Sequence, residues 1–372
     1  MDRREVIIVG GGVIGLSIAW NAARSGIGVT LLERERFGAG ATHAAAGMLA
    51  PVAEADFGDS GRALLDLGLS SAASWPLFAA ELESASGLPS RLRADGTLVL
   101  ARDRDEAEAL ERQLAYRQRL GLAVARITAS RARELEPALA PSLRLALEIP
   151  GESSVDPRWV CDALVLAARG AGAELREWSE VAGLVRRGGR VSGVTLADGV
   201  ELSADQVVLA AGAWSGALSG VPVRPVKGQI IRLRDGEGPG LLNRTLRFEG
   251  GYVVTRGDGS YVLGASSEER GFDTTVTARP IFDLLRDASE LVPGLLDLEI
   301  EEITVGLRPG TPDNLPLIGA SDEAGLILAC GHFRSGILLA PLTAMLVLRA
   351  LEGATAPASA QARRRVVDEV GV

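Results

Sequence analysis

Apolar and polar positions along this chain follow two periods. Glu5 to Val9 (EVIIV) is a short run rich in β-branched residues that ends at Gly10, the pattern of a strand buried on both faces. From Val13 to Ser25 the spacing becomes helical and stops at Gly26, and Gly28 to Glu33 (GVTLLE) returns to a strand. The N-terminus therefore predicts a βαβ unit. Helical spacing recurs at Leu64–Ser84, Asp103–Gly121, Trp159–Arg169, Ile281–Leu291 and Gly336–Leu351. Strand patterns recur at Gly96–Ala101, Glu174–Glu177, Val181–Val185, Asp205–Ala211, Ile230–Leu233, Gly251–Thr255, Ser260–Gly264 and Leu326–Ala329. Gly188-Gly189 and Asp198-Gly199 read as hairpin turns, and the glycines and prolines of Gly220–Gly240 read as a crossing between domains.

Composition narrows the class. At 372 residues, with 47% hydrophobic and 23% charged positions, the chain has enough apolar material for two domains. A net charge of −9 argues against nucleic acid or an anionic membrane as the main partner, while leaving room for a locally basic pocket. Arginine outnumbers lysine 38 to 1. Two cysteines and two histidines make neither a disulfide framework nor a His/Cys metal centre. Four glycines break the apolar opening from Val6 to Ala19, so it does not read as a secretory leader, and no run of 18 apolar residues predicts a membrane span. These features predict a cytoplasmic protein.

Gly10-Gly11-Gly12-Val13-Ile14-Gly15 fits G-x-G-x-x-G at a strand-to-helix turn, with Glu33 at the end of the second strand. Gly10 permits the tight turn, Gly12 lets backbone approach a pyrophosphate, and Gly15 lets the helix sit close to the strand. The helix N-terminus favours phosphate, and Glu33 is placed to accept from a ribose hydroxyl. This fingerprint serves NAD and FAD alike. Two further features choose FAD. Gly38 to Pro51 is a long run of small residues against which a large planar ligand can lie. Gly331 to Ala340 (GHFRSGILLA) hands a strand over to a helix whose N-terminus would stabilise negative charge on reduced flavin.

With these stand Ala44-Ala45-Ala46-Gly47-Met48, Pro225-Val226-Lys227-Gly228, Gly306-Leu307-Arg308-Pro309-Gly310-Thr311 and Gly331-His332-Phe333-Arg334. In these segments the chain resembles the D-amino-acid-oxidase-type FAD-dependent oxidoreductases, and most of all their glycine oxidase branch, associated with thiamine biosynthesis. The likeness runs from Val6 to about Leu351. It implies an α/β (α+β overall) architecture: a Rossmann-like FAD-binding domain from residues 1–85, 151–222 and 305–353, an inserted antiparallel-sheet substrate domain from 86–150 and 223–304, and a tail from 354 to 372. It implies noncovalent FAD held by Val13, Ile14, Glu33, Arg34, Ala41, Thr42, Ala46, Gly47, Met48 and Val181, and by the stretch His332, Phe333, Arg334, Ser335, Gly336, Ile337 and Leu338. The implied reaction is hydride transfer from glycine, sarcosine or D-alanine to flavin, followed by imine hydrolysis and reduction of O2 to hydrogen peroxide. A homo-oligomer, up to a tetramer, is implied as well.

For the substrate the resemblance points to Arg308, with Tyr252, Arg334 and Met48 as neighbours. Chemistry reaches the same arginine. Oxidation at Cα requires the carboxylate to be held so that the C–H bond faces the flavin, and a guanidinium fork does this. No general base stands out, which suits hydride transfer from a neutral amine. Tyr252 reads equally well as a core tyrosine, Trp214 as core packing, and His332 as a structural histidine ahead of a flavin-tuning one. Cys330 reads as core packing, leaving no cysteine tether for flavin. Gly250 stands where a histidine is common in the branch, and Ala265, Ser266 and Ser267 give a small, polar lining, which opens the pocket to substrates larger than glycine. A D-amino-acid dehydrogenase with a non-oxygen acceptor and a non-catalytic flavin-binding subunit remain as alternatives.

Overall fold

The structure, a computed structural model, describes residues 4–236 and 240–353. The tail expected from residue 354 onward lies outside the described residues. Glu5–Val9 is the central strand of a six-stranded sheet, paired in parallel with Gly28–Leu32 on one side and Gln206–Leu209 on the other. Glu174–Arg176 extends the sheet beyond the first neighbour. Leu326–Cys330 and then Leu317–Ala320 extend it beyond the second, the last one antiparallel.

Both faces are covered, which is why the central run carries no polar alternation. Val6 and Ile8 pack under the helices Val13–Arg24, Asp59–Ser86, Pro157–Gly170 and Gly336–Leu351. Ile7 and Val9 pack on the opposite side against Val181, Val191 and Val194 of a three-stranded antiparallel sheet formed by Val181–Arg187, Arg190–Leu196 and Glu201–Ser203. Among the described residues, Asp59–Ser86 is the one helix long and apolar enough to cross a membrane. Its Leu65, Trp75, Phe78 and Leu82 are instead buried in the protein.

A second sheet has eight strands, in the order 299–310, 224–234, 260–264, 251–255, 245–248, 97–101, 145–149 and 125–127. Ile231, Leu233, Val253 and Leu263 point to one side, where the helix Ala278–Leu291 covers them with Leu284, Ala288 and Leu291. Ile230, Val254 and Val262 point to the other side and meet Ala44 and Ala46. That inner side faces the first sheet.

Two strands depart from the sequence reading. Arg224–Arg234 extends the strand expected at Ile230–Leu233 back through the Gly/Pro-rich stretch read as a crossing. Glu299–Gly310 is absent from the expected strands although Ile303, Val305 and Leu307 alternate with Thr304, Gly306 and Arg308. They pair antiparallel over eleven positions, with Gly228 opposite Gly306 and Val226 opposite Arg308. Pro225 is tolerated near a strand start. The charged Glu299, Glu301 and Glu302 suit an edge strand, which has a side open to water. The domain break expected between 304 and 305 falls within this second strand.

Leu31 is fully buried in the core beneath the first sheet. Leu31→Ala is expected to lower unfolding stability by about 2–5 kcal/mol, read as a lower urea midpoint at unchanged m-value.

Candidate active site

A cavity of about 810 Å³ opens between the sheets. Val9-Gly10, Leu32-Glu33, Ala210-Ala211 and Ala329-Cys330 line it, and each pair marks the carboxyl end of a strand of the first sheet. This is where doubly wound sheets hold ligands. Cys330, read as core packing, thus also borders the cavity.

At the fingerprint end, Gly10, Gly12, Val13 and Ile14 form the wall. Gly15 lies behind it. A methyl group there would overlap the Gly10 carbonyl, so the glycine brings the helix onto the turn without touching the cavity. Gly12 offers no side-chain cap, and Val13 N–H takes Thr42 Oγ1 at 3.2 Å. The helix thus presents its positive end to the cavity. The Glu33 carboxylate is held at 2.6 Å by Gly11 N–H and at 3.0 Å by Glu35 N–H. Arg34 lies 3.6 Å from the centre of the Trp214 ring, and both line the cavity near Val181. Trp214 is half-buried, so its reading as core packing is corrected: it is a wall.

Along the middle run Ala41, Thr42, Ala44, Ala45, Ala46, Gly47 and Met48. The outward carbonyls of this segment are taken by arginines. His43 O accepts from Arg158 Nε at 3.1 Å and Arg232 Nη2 at 2.9 Å, and Ala46 O accepts from Arg256 Nη2 at 2.8 Å. Opposite lie His332, Phe333, Arg334, Gly336 and Ile337, the last two opening the helix Gly336–Leu351. Ser335 and Leu338 are buried and do not line the cavity. The Leu338 carbonyl accepts instead from Ser71 Oγ at 2.6 Å and Trp75 Nε1 at 2.9 Å. His332 Nε2 lies 2.9 Å from Thr343 Oγ1, and burial pushes its pKa down to about 3.

Arg308, Tyr252, Met48 and Arg334 come together at the far end. The Arg308 guanidinium lies on Gly228 of the adjacent strand, where any side chain would overlap it. Its Nη1 donates to Ser266 O at 3.0 Å and Lys227 O at 3.4 Å. Among the described residues it has no ion-pair partner. Burial, with Arg334 nearby, lowers its pKa. Tyr252 sits over Gly264, and burial raises its pKa, so it is a neutral phenol with a proton to donate. Arg334 is exposed, its guanidinium 5.0 Å from the Phe333 ring centre. Two charged residues escaped the sequence reading. Glu54 and Arg247 pair at 2.6 Å on the cavity wall, Arg247 directly across from Tyr252 in register. No local spacing marks either of them.

His332 is held neutral by burial, so its contribution to stability is complete above pH 6.5. That contribution is lost as pH falls from about 6.5 towards 3, while the unfolded chain alone takes up the proton. His332→Gln is expected to reduce the acid-side slope of stability against pH by about one proton, measured by urea unfolding between pH 7 and pH 4.

Residues 5–350 match the family described as FAD dependent oxidoreductase (DAO). The chain is 37% identical to the glycine oxidase of Geobacillus kaustophilus, over 94% of this chain and 93% of that one. It is 39% identical to the bifunctional protein ThiO/ThiG of Trichormus variabilis over 92% of its own length, and spans about half (52%) of that larger protein. The crystal structure of glycine oxidase from Geobacillus kaustophilus superposes with a TM-score of 0.88 at 36% identity, covering 95% of each chain. With the fingerprint turn, the arginine-held small-residue segment and Arg308 on one cavity, and the family pattern spanning 5–350, the chain belongs to the FAD-dependent oxidoreductases of the DAO family, and FAD is its cofactor.

Proposed function

We propose that this protein oxidises glycine and other small amino acids, sarcosine and D-alanine among them, at Cα. The products would be the oxo acid, ammonia (methylamine from sarcosine) and, with O2 as acceptor, hydrogen peroxide. The observation that carries this reading is Arg308: a guanidinium without an ion-pair partner among the described residues, lining the cavity that also holds the dinucleotide fingerprint.

The chain's own residues fit FAD. Gly12, Val13 and Ile14 would face the pyrophosphate, Glu33, Arg34 and Val181 the adenosine, and Ala46, Gly47, Met48, His332, Phe333, Gly336 and Ile337 the ring system, with no covalent tether. FAD supplies the two-electron acceptor. Arg308 would bind the substrate carboxylate, an anion that offsets the cost of burying the guanidinium. Tyr252 would donate to the same carboxylate, Arg334 would add a second positive charge, and Met48 would form an apolar wall. Fixing the carboxylate orients the Cα–H bond, which is the main task left to the protein. His332, neutral and bonded to Thr343, supports the helix end.

Glycine oxidation finds support in the similarity to proteins of that name. We place the reaction in the cytoplasm, and the resemblance to the thiamine-associated branch supports delivery of the glycine imine to thiazole formation. A homo-oligomer, up to a tetramer, is part of the same proposal.

Anaerobic mixing with glycine, sarcosine and D-alanine in turn is expected to bleach the flavin absorption, with air restoring it and releasing peroxide. Slow restoration in air would favour a dehydrogenase with another acceptor, and no bleaching with any of the three would reject the substrate class. Arg308→Ala is expected to keep FAD bound and to lose roughly a hundredfold or more in flavin reduction rate per unit substrate. Gly228→Ala is expected to displace the guanidinium, a flexible chain end, and so to raise KM while changing unfolding stability by less than about 1 kcal/mol.

A further inference from the structure

Lys227 is the one lysine in a chain with 38 arginines. Arginine does most of the other cationic work here, at the surface and inside. Lys227 is fully buried, at 0% exposure, on the strand Arg224–Arg234. Its Nζ donates to Asp273 Oδ2 at 2.9 Å and to Thr275 O at 2.5 Å. Its backbone exchanges hydrogen bonds with Glu268 at 2.9 Å in each direction.

Gln229, also fully buried, points the same way two residues on. Its Nε2 donates to Glu268 Oε1 at 2.9 Å and Thr277 Oγ1 at 2.8 Å, and its Oε1 accepts from Thr277 N–H at 2.9 Å. Two neighbouring side chains thus fasten residues 266–277 to the strand. The fastened segment begins with Ser266, whose carbonyl holds Arg308 Nη1 at 3.0 Å, and the second acceptor for that nitrogen is the Lys227 carbonyl itself. Further along, Phe272 rests on Trp214 with ring centres 5.4 Å apart, so the segment also reaches the adenosine-side wall.

We propose that Lys227 is a positioning residue for Arg308, its ammonium fastening the 266–277 segment so that Ser266 O and Lys227 O together set the guanidinium's place. This rests on the reading of Arg308 as the carboxylate anchor. It also accounts for a lysine where the chain otherwise uses arginine. An ammonium is a compact point with three donors, while a guanidinium is a wide planar fork. The buried end of this side chain meets two close acceptors, which suits the former.

The protein with FAD bound is treated with an acetylating reagent and Lys227 is followed by peptide mass spectrometry. In the wild type the amine is expected to stay unmodified. In Asp273→Ala, a change at a residue with an exposed carboxylate, acetylation is expected to rise and KM to increase roughly tenfold, with kcat and FAD affinity held within about twofold. Lys227→Met is expected to reproduce the KM rise and Lys227→Arg not to rescue it. Ready acetylation of the wild type overturns the proposal. So does an Asp273→Ala enzyme with a freed amine and unchanged KM, one whose FAD affinity falls along with its substrate affinity, or full activity in Lys227→Arg. If no small amino acid bleaches the wild-type flavin, the substrate reading fails by itself. The fastening is then judged by acetate binding, through its effect on flavin absorption, in wild type against Asp273→Ala: weaker binding in the variant supports it, and equal binding overturns it.

Discussion

A part-buried guanidinium that has no ion-pair partner among the described residues is the constraint from which the proposed substrate end of this protein follows. Arg308 loses hydration in the cavity and regains the Ser266 and Lys227 carbonyls and the Tyr252 hydroxyl as neutral partners. Such a group is stable there only if its surroundings are rigid and if an anion completes it. Rigidity comes from the long pairing of Arg224–Arg234 with Glu299–Gly310. Room comes from Gly228, where bare backbone replaces a side chain beneath the guanidinium. In the proposed function, the substrate carboxylate would supply the completing anion.

The cofactor end solves a different problem: holding a segment of small residues that has little packing of its own. Ala41 to Gly47 has few side-chain atoms to lock it in place. Its fixed points are instead carbonyl oxygens gripped from outside by Arg158 of the helix Pro157–Gly170, Arg232 of the strand Arg224–Arg234 and Arg256 just beyond the strand Gly251–Thr255. The next turn is held the same way, with buried Arg117 donating to Val52 O at 2.7 Å and Ala53 O at 2.8 Å. A fork that reaches two carbonyls from one side chain suits this task better than an ammonium. The abundance of arginine, uninformative as composition, has here a structural use.

What was legible in the sequence was local. Glu5–Val9, the fingerprint turn and Glu33 announce themselves because strand, turn and helix each leave their period within a few residues. The family resemblance placed Arg308, Tyr252 and Arg334 in one candidate site, and the structure brings them to one cavity. What was not legible depends on pairing across distance. Glu299–Gly310 alternates at Ile303, Val305 and Leu307, but the glutamates at 299, 301 and 302 and the Gly306, Pro309 and Gly310 around that stretch mask it. Only the Ile230–Leu233 part of Arg224–Arg234 was legible, its first half hiding behind Pro225 and Gly228, residues that usually punctuate chains. Glu54 and Arg247 are 193 residues apart, and only the fold makes them neighbours. Ser335 and Leu338 fail to reach the cavity for a simpler reason. A helix turns its side chains about its axis, so a contiguous run cannot all face one ligand.

The charge balance carries the same lesson. The chain as a whole is acidic, at −9, yet the substrate end of the cavity gathers Arg247, Arg308 and Arg334 against the single carboxylate of Glu54. Arg247 is matched by Glu54 at 2.6 Å, which leaves the other two cations to act on whatever enters. The acidic exterior repels anions at long range only weakly, because salt screens it within about 8–10 Å. At the cavity, part-buried Arg308 and exposed Arg334, neither with an ion-pair partner among the described residues, lie closer to an entering ligand than that screening distance. The proposed selectivity for a carboxylate therefore rests on the few residues that share the cavity, and the sign of the average charge has little say in it.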